Sequence, residues 1–129
     1  MAGLDEISQS VRVLVKSEYI PSQSDPENHT YFFAYHVRIA NEGKGPVQLL
    51  SRHWIITNAN GTKQEVEGPG VVGLTPVIKP GEIFTYSSFC PLDTPVGSMY
   101  GTYQMTTQDG TRFDATIPAF TLSVPGSLN

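Results

Sequence analysis

The chain has one cysteine, Cys90, so no intramolecular disulfide can form and a reducing, cytoplasmic setting is the natural inference. It has no apolar run approaching the roughly 20 residues of a membrane helix, so membrane insertion is not expected. Its first residues, Met1-Ala2-Gly3-Leu4-Asp5-Glu6, lack the basic and apolar regions of a signal peptide. Cations are scarce: 8 Lys and Arg stand singly against 12 Asp and Glu. A net charge of -4 with no basic stripe argues against a nucleic-acid partner. Long helical stretches are missing too, because Gly (12) and Pro (10) cut the chain into short segments. What remains is one domain, 1–129, able to bury a core without metals or disulfides, with loose ends expected at 1–8 and 125–129.

The segments that are present repeat with period two. Tyr31, Phe33, Tyr35, Val37 and Ile39 alternate with Phe32, Ala34, His36, Arg38 and Ala40, which predicts a half-buried strand with odd positions inward. Val11, Val13 and Val15 predict another, followed by turn chemistry from Pro21 to Asn28. From Val47 to Thr57 both faces are partly apolar, with Leu50, Trp54 and Ile56 on one and Leu49 and Ile55 on the other, as a central strand requires. Asn60-Gly61 signals a tight hairpin into Thr62 to Val66. Further strands are predicted from Ile83 to Cys90, Met99 to Thr106, Arg112 to Ile117, and through Phe120, Leu122 and Val124, with Asp109-Gly110 as a second hairpin. Seven or eight short strands make an all-β sandwich of two antiparallel sheets. Uneven strand lengths and an irregular crossover from Glu67 to Gly81 favour it over a closed barrel.

Within that crossover, Gly68-Pro69-Gly70-Val71-Val72-Gly73 spells G-x-G-x-x-G, the string that wraps a pyrophosphate when a helix follows it. Here Pro76 and Pro80 forbid the helix. The glycines read better as sites of positive φ and close backbone approach. An anion held in a nest of backbone amides is the minor alternative, with Gly68, Gly70 and Gly73 as its candidates.

Leu49 to Asn58, Asn60-Gly61, Glu65 to Gly73 and Pro80-Gly81 together resemble the signature of the ApaG (CorD) family, with Arg52, His53, Trp54, Gly68, Pro69, Gly70 and Gly73 as its core. Tyr31 to Tyr35 and Gly97 to Gly101 resemble it as well. The resemblance implies a small bacterial protein with an immunoglobulin-like or fibronectin type III-like sandwich. It further implies an association with cobalt resistance and magnesium efflux, no established enzymatic activity, and, by analogy with related eukaryotic domains, a protein-binding role.

Residues that could carry chemistry are few. His36 and His53 are the candidate metal ligands, since imidazole suits Co²⁺ and Zn²⁺, but Arg38 and Arg52 beside them in sequence make a poor cation environment. His29 shares the residue type without a pattern. Cys90 precedes Pro91 at a strand end and reads as a small apolar residue. Ser51, Arg52 and His53 cannot form a triad by adjacency, because neighbours on a strand face opposite ways. Asp93, Asp109 and Asp114 fall in or near turns, where short acidic side chains serve local hydrogen bonds. No catalytic set and no cofactor are expected. The expected function is therefore a binding module for another protein, with Phe32 and Tyr100 as candidate anchors. The alternative is a small-ligand, nucleotide or divalent-cation binder using Gly68 to Gly73 or the histidines. An exposed sheet edge could also pair two copies of the chain.

Overall fold

The computed structural model describes residues 3–127 and places eight strands in two antiparallel sheets. In the first sheet β1 (Val11–Tyr19) pairs with β2 (Tyr31–Asn41), and β2 with β6 (Ile83–Leu92). The second has the order β4 (Lys63–Pro69), β3 (Val47–Asn58), β7 (Val96–Thr107), β8 (Arg112–Ser123), with β5 (Val77–Ile78) beside the start of β3. This is the two-sheet, fibronectin type III-like sandwich expected from the sequence. The predicted hairpins close it: Gly61 and Gly110 take the positive φ values, 82° and 88°, that the β3–β4 and β7–β8 turns require.

The inward residues are those the period-two pattern selects in β1 and β2. Val11, Val13, Phe33, Tyr35, Val37 and Ile39 are buried, while Leu14 stands 62% exposed on the outer face. The pattern fails in β3 for an identifiable reason. Leu49 pairs with Met105 but Ser51 pairs with Gln104, so Leu50 is an extra, bulged residue. Every side chain beyond it changes face. Leu49, not Leu50, joins Trp54 and Ile56 in the core, correcting the expected grouping.

A second bulge unites what read as two strands. Met99 pairs with Phe120 and Gly101 with Ile117, leaving one surplus residue in β8 at Pro118-Ala119. Pro118 has no N–H for the ladder and is tolerated at such an irregularity on an edge strand. Inward positions pass there from Phe113, Ala115 and Ile117 to Leu122.

Trp54 lies at the centre of the core, edge-on to Tyr35, Tyr103 and Phe120 at centroid distances of 5.3, 6.3 and 5.9 Å. Such contacts add to the area the indole buries. Its Nε1 is buried without a hydrogen-bond acceptor among the described residues.

Two expectations about the chain's periphery change. Residues 4–8 of the expected loose end lie in helix α1 (Leu4–Gln9), where Ile7 packs against the core and the Ser8 hydroxyl donates to the Asp114 carbonyl. At the other end Ser127 N donates to Val124 O in a turn. Residues 1–2 and 128–129, the remainder of the expected loose ends, lie outside the described residues. The crossover is also shorter than expected, since Glu67, Gly68 and Pro69 pair with His53, Arg52 and Ser51 as the end of β4.

Candidate functional site

The glycine string forms a tight reversal at the end of β4. Val71 N donates to Leu74 O and Leu74 N returns the bond to Val71 O, at 2.8 and 2.9 Å. The two residues between them, Val72 and Gly73, both have positive φ, 44° and 81°. Gly70, at φ 61°, also has no room for a side chain: a Cβ there would sit 2.4 Å from the Leu74 carbonyl oxygen. Its amide donates to Leu50 O, so the bulge in β3 and the glycine turn are tied together. The amides of Gly70, Val71 and Leu74 are thus engaged within the fold and are not offered to an anion, which takes three donors away from any phosphate cradle here. What the turn offers instead is carbonyl oxygen. Arg52 Nη1 donates to Pro69 O at 2.9 Å and to Gly70 O at 2.8 Å.

Arg52 reaches that position because the bulge turns it to the inner side of the sandwich rim. Its positive charge lies close enough to Tyr35, Tyr86 and Tyr103 to favour their ionised forms slightly. Burial acts more strongly and in the opposite sense, raising all three phenols above their ordinary range, Tyr103 most. The Tyr86 and Tyr103 hydroxyls satisfy each other by a direct hydrogen bond. Arg52 therefore does not flank His53, as adjacency in sequence suggested. They point to opposite faces.

His53 is on the outer face of the five-stranded sheet, with two glutamates of β4. Glu67 is its cross-strand partner and Glu65 pairs with Ile55, two residues on, so both carboxylates come to the same imidazole. His53 Nε2 lies 3.3 Å from Glu65 Oε2 and 3.4 Å from Glu67 Oε1. The other candidate, His36, is occupied differently: Nε2 meets Glu18 Oε1 at 2.9 Å and Nδ1 meets the Ser87 hydroxyl at 2.6 Å. His29 closes a 3-10 turn in the left-handed conformation, φ 55°. The sequence reading missed Glu65 and Glu67. Their signal was the alternation Glu65-x-Glu67 facing His53 across a recognisable Asn-Gly hairpin.

The remaining candidates fall into structural roles. Cys90 is 2% exposed, and burial pushes its thiol up to about 11, the reverse of what a nucleophile needs. Ser51 donates to Gln104 Oε1 at 2.9 Å. Asp93 accepts from Asn58 Nδ2 at 3.0 Å, and Asp109 is held below the usual carboxylate range first by the Thr107 hydroxyl and then by Thr111. Asp114 is the third residue of β8, opposite Gln104 and just after the Asp109-Gly110 hairpin.

Apolar groups do reach the surface of the three-stranded sheet. Phe89 is 60% exposed and stacks on half-buried Phe32 with centroids 5.4 Å apart. Leu14 and Ile83 are exposed on the same face, where Arg12, Lys16 and Arg38 project between them. Tyr100, the second expected anchor, is half-buried opposite Ile55 on the other sheet.

Comparison with known proteins fits this architecture. The model of the ApaG domain matches residues 21–107. A protein ApaG from Anaeromyxobacter dehalogenans is 53% identical over 123 residues, 95% of this chain and 97% of that one. One from Pseudomonas aeruginosa (strain LESB58) is 52% identical over 126 residues, 98% of this chain and 100% of that one. The crystal structure of the putative ApaA protein from Bordetella pertussis superposes with a TM-score of 0.88 at 49% identity, covering 91% of this chain and 95% of that one.

Proposed function

This chain belongs to the ApaG domain family, and from that premise we propose that it is a non-enzymatic module that binds another protein through the outer face of its three-stranded sheet. The observation that carries the reading is the exposed Phe89 ring, stacked on Phe32, on a face that also exposes Leu14. Large apolar side chains exposed on one face, here Phe89 with Phe32 at one end and Leu14 and Ile83 toward the other with polar residues between, are what a partner desolvates on docking.

The charges on the face indicate the partner's chemistry. Arg12, Lys16 and Arg38 project there in a chain whose net charge is -4, and Glu18 is the one acidic residue among the outward positions of β1. A segment carrying acidic side chains around an apolar or aromatic anchor complements this pattern. On this reading the cobalt-resistance and magnesium-efflux associations implied by the family resemblance act through the partner.

Nucleotide binding at Gly68 to Gly73 draws little support from the geometry, since the Gly70 and Val71 amides are bonded to Leu50 O and Leu74 O within the fold. The deciding experiment is affinity capture from bacterial lysate with the original chain, a Phe89→Ser, Leu14→Ser double variant, and a Tyr100→Ser variant. Recovery of one reproducible partner, lost in the double variant and retained in Tyr100→Ser, supports the assigned face. A partner retained by the double variant overturns the face, and repeated failure to recover any partner overturns the binding-module reading.

A further inference from the structure

We propose that His53, Glu65 and Glu67 form a binding site for a divalent transition-metal ion of the Zn²⁺ or Mn²⁺ type on the outer face of the five-stranded sheet. The site is independent of the docking face, which belongs to the other sheet. One atom from each residue, the imidazole nitrogen and two carboxylate oxygens, lies within 4.8 Å of the others.

The distances are those of one imidazole shared between two carboxylates, and they also fit a bridging ion. His53 Nε2 stands 3.3 and 3.4 Å from the two carboxylate oxygens. Charge-assisted hydrogen bonds close to about 2.7–2.9 Å, and the His36 to Glu18 contact at 2.9 Å shows that this chain makes them where the geometry is simple. Ligands about 2.0–2.1 Å from a tetrahedral zinc ion lie roughly 3.3–3.4 Å apart, because the angle between them is near 109°. The imidazole-to-carboxylate separations have that value. Small side-chain rotations of the exposed glutamates would bring the third edge of the triangle to it.

Charge and backbone support the same reading. Two carboxylates alternate on one edge strand, both turned toward a single imidazole, and a divalent cation balances their combined charge. The strand register fixed by Asn58 and Gly61 at the hairpin sets all three ligands on pleated backbone, so ordering the site requires only side-chain movement. The guanidinium of Arg52, which would repel a cation, is on the opposite face and bonded to the glycine turn. One nitrogen with two oxygens suits Zn²⁺ or Mn²⁺, whereas Mg²⁺ prefers oxygen and retained water. Three protein ligands leave further positions open to water or to a partner's side chain.

The test uses untagged full-length protein. Zn²⁺ is titrated by calorimetry, and Mn²⁺ is added while backbone amide signals are followed by NMR. One saturable Zn²⁺ site is expected, with Mn²⁺ broadening centred on His53, Glu65 and Glu67. Loss of an outer-shell partner alone typically weakens metal binding about 10- to 100-fold, so His53→Gln, Glu65→Gln and Glu67→Gln should each weaken it at least about tenfold. His36→Gln should leave it unchanged. These side chains are on the outer face, and an unchanged amide spectrum in the absence of metal will show that the variants fold. Flat Zn²⁺ titrations overturn the proposal, as does broadening centred on His36 and Glu18 or affinity that survives His53→Gln.

Discussion

Gly68 leaves the space that the Arg52 guanidinium fills: a Cβ built on Gly68 would lie 2.9 Å from Nη2 and 3.1 Å from Cζ. From that position the guanidinium holds the Pro69 and Gly70 carbonyls, so one absent methyl group allows β3 to fasten the glycine turn. Gly68→Ala should displace the guanidinium and weaken both bonds. With charged hydrogen bonds worth about 1.5–3 kcal/mol at most and partial exposure here, the expected loss is about 1–2 kcal/mol, read from urea unfolding. Arg52→Lys should lose a similar amount, because an ammonium lacks the planar fork. An unchanged midpoint in both variants would show that the contact is incidental.

Val72 is a β-branched residue in the left-handed region, φ 44°, and 56% exposed, so packing gives it little in return for the strain. Left-handed backbone costs an L-residue roughly 1–2 kcal/mol, less for Asn, whose side chain can bond locally. Val72→Asn is therefore expected to raise stability by about 1 kcal/mol in urea titrations. If it instead lowers stability, the exposed valine makes a contact that the strain supports.

Trp54→Ala should cost about 3–5 kcal/mol, enough to threaten folding at this chain length. Trp54→Phe is more informative. It removes the buried indole N–H that lacks an acceptor but leaves a smaller ring among Tyr35, Tyr103 and Phe120. A loss well below that of the alanine variant, measured by thermal unfolding, is expected.

Alkaline pH should unfold the protein through its buried acids. Cys90 has an ordinary value of 9.0 but is pushed up to about 11 in the fold, and burial also raises Tyr35, Tyr86 and Tyr103. Between those two values the unfolded chain has released the thiol proton that the folded chain still holds. Rising pH therefore favours unfolding: the thiol's contribution is complete below pH 9 and gone above about 11. Each such group adds a slope of at most about 1.4 kcal/mol per pH unit. Urea unfolding from pH 7 to 11 should show stability falling above pH 9, with a shallower fall in Cys90→Ala. A flat profile would mean that the thiol meets solvent in the native state.

Much of the fold was legible because a half-buried strand leaves a period-two trace that needs no partner to be seen. Phe33, Tyr35, Val37 and Ile39 are buried as their alternation predicts, and Asn60-Gly61 and Asp109-Gly110 turn where positive φ is needed. The bulges at Leu50 and Pro118-Ala119 were not legible, because an extra residue is defined only against the strand it fails to pair with. The helix at Leu4–Gln9 was hidden for a related reason: a six-residue helix gains little from propensity and exists through Ile7 and Ser8 docking on the sandwich.

The sequence by itself determined the all-β class, the hairpin positions, the family resemblance and the inward residues of β1 and β2, since these depend on local backbone preference and alternation. Only the tertiary structure decided that Leu49, not Leu50, shares the inner face with Arg52 and Trp54, because one bulged residue reverses every side chain after it. It alone placed Glu65 and Glu67 beside His53 and Phe89 on Phe32, since cross-strand neighbours are set by register.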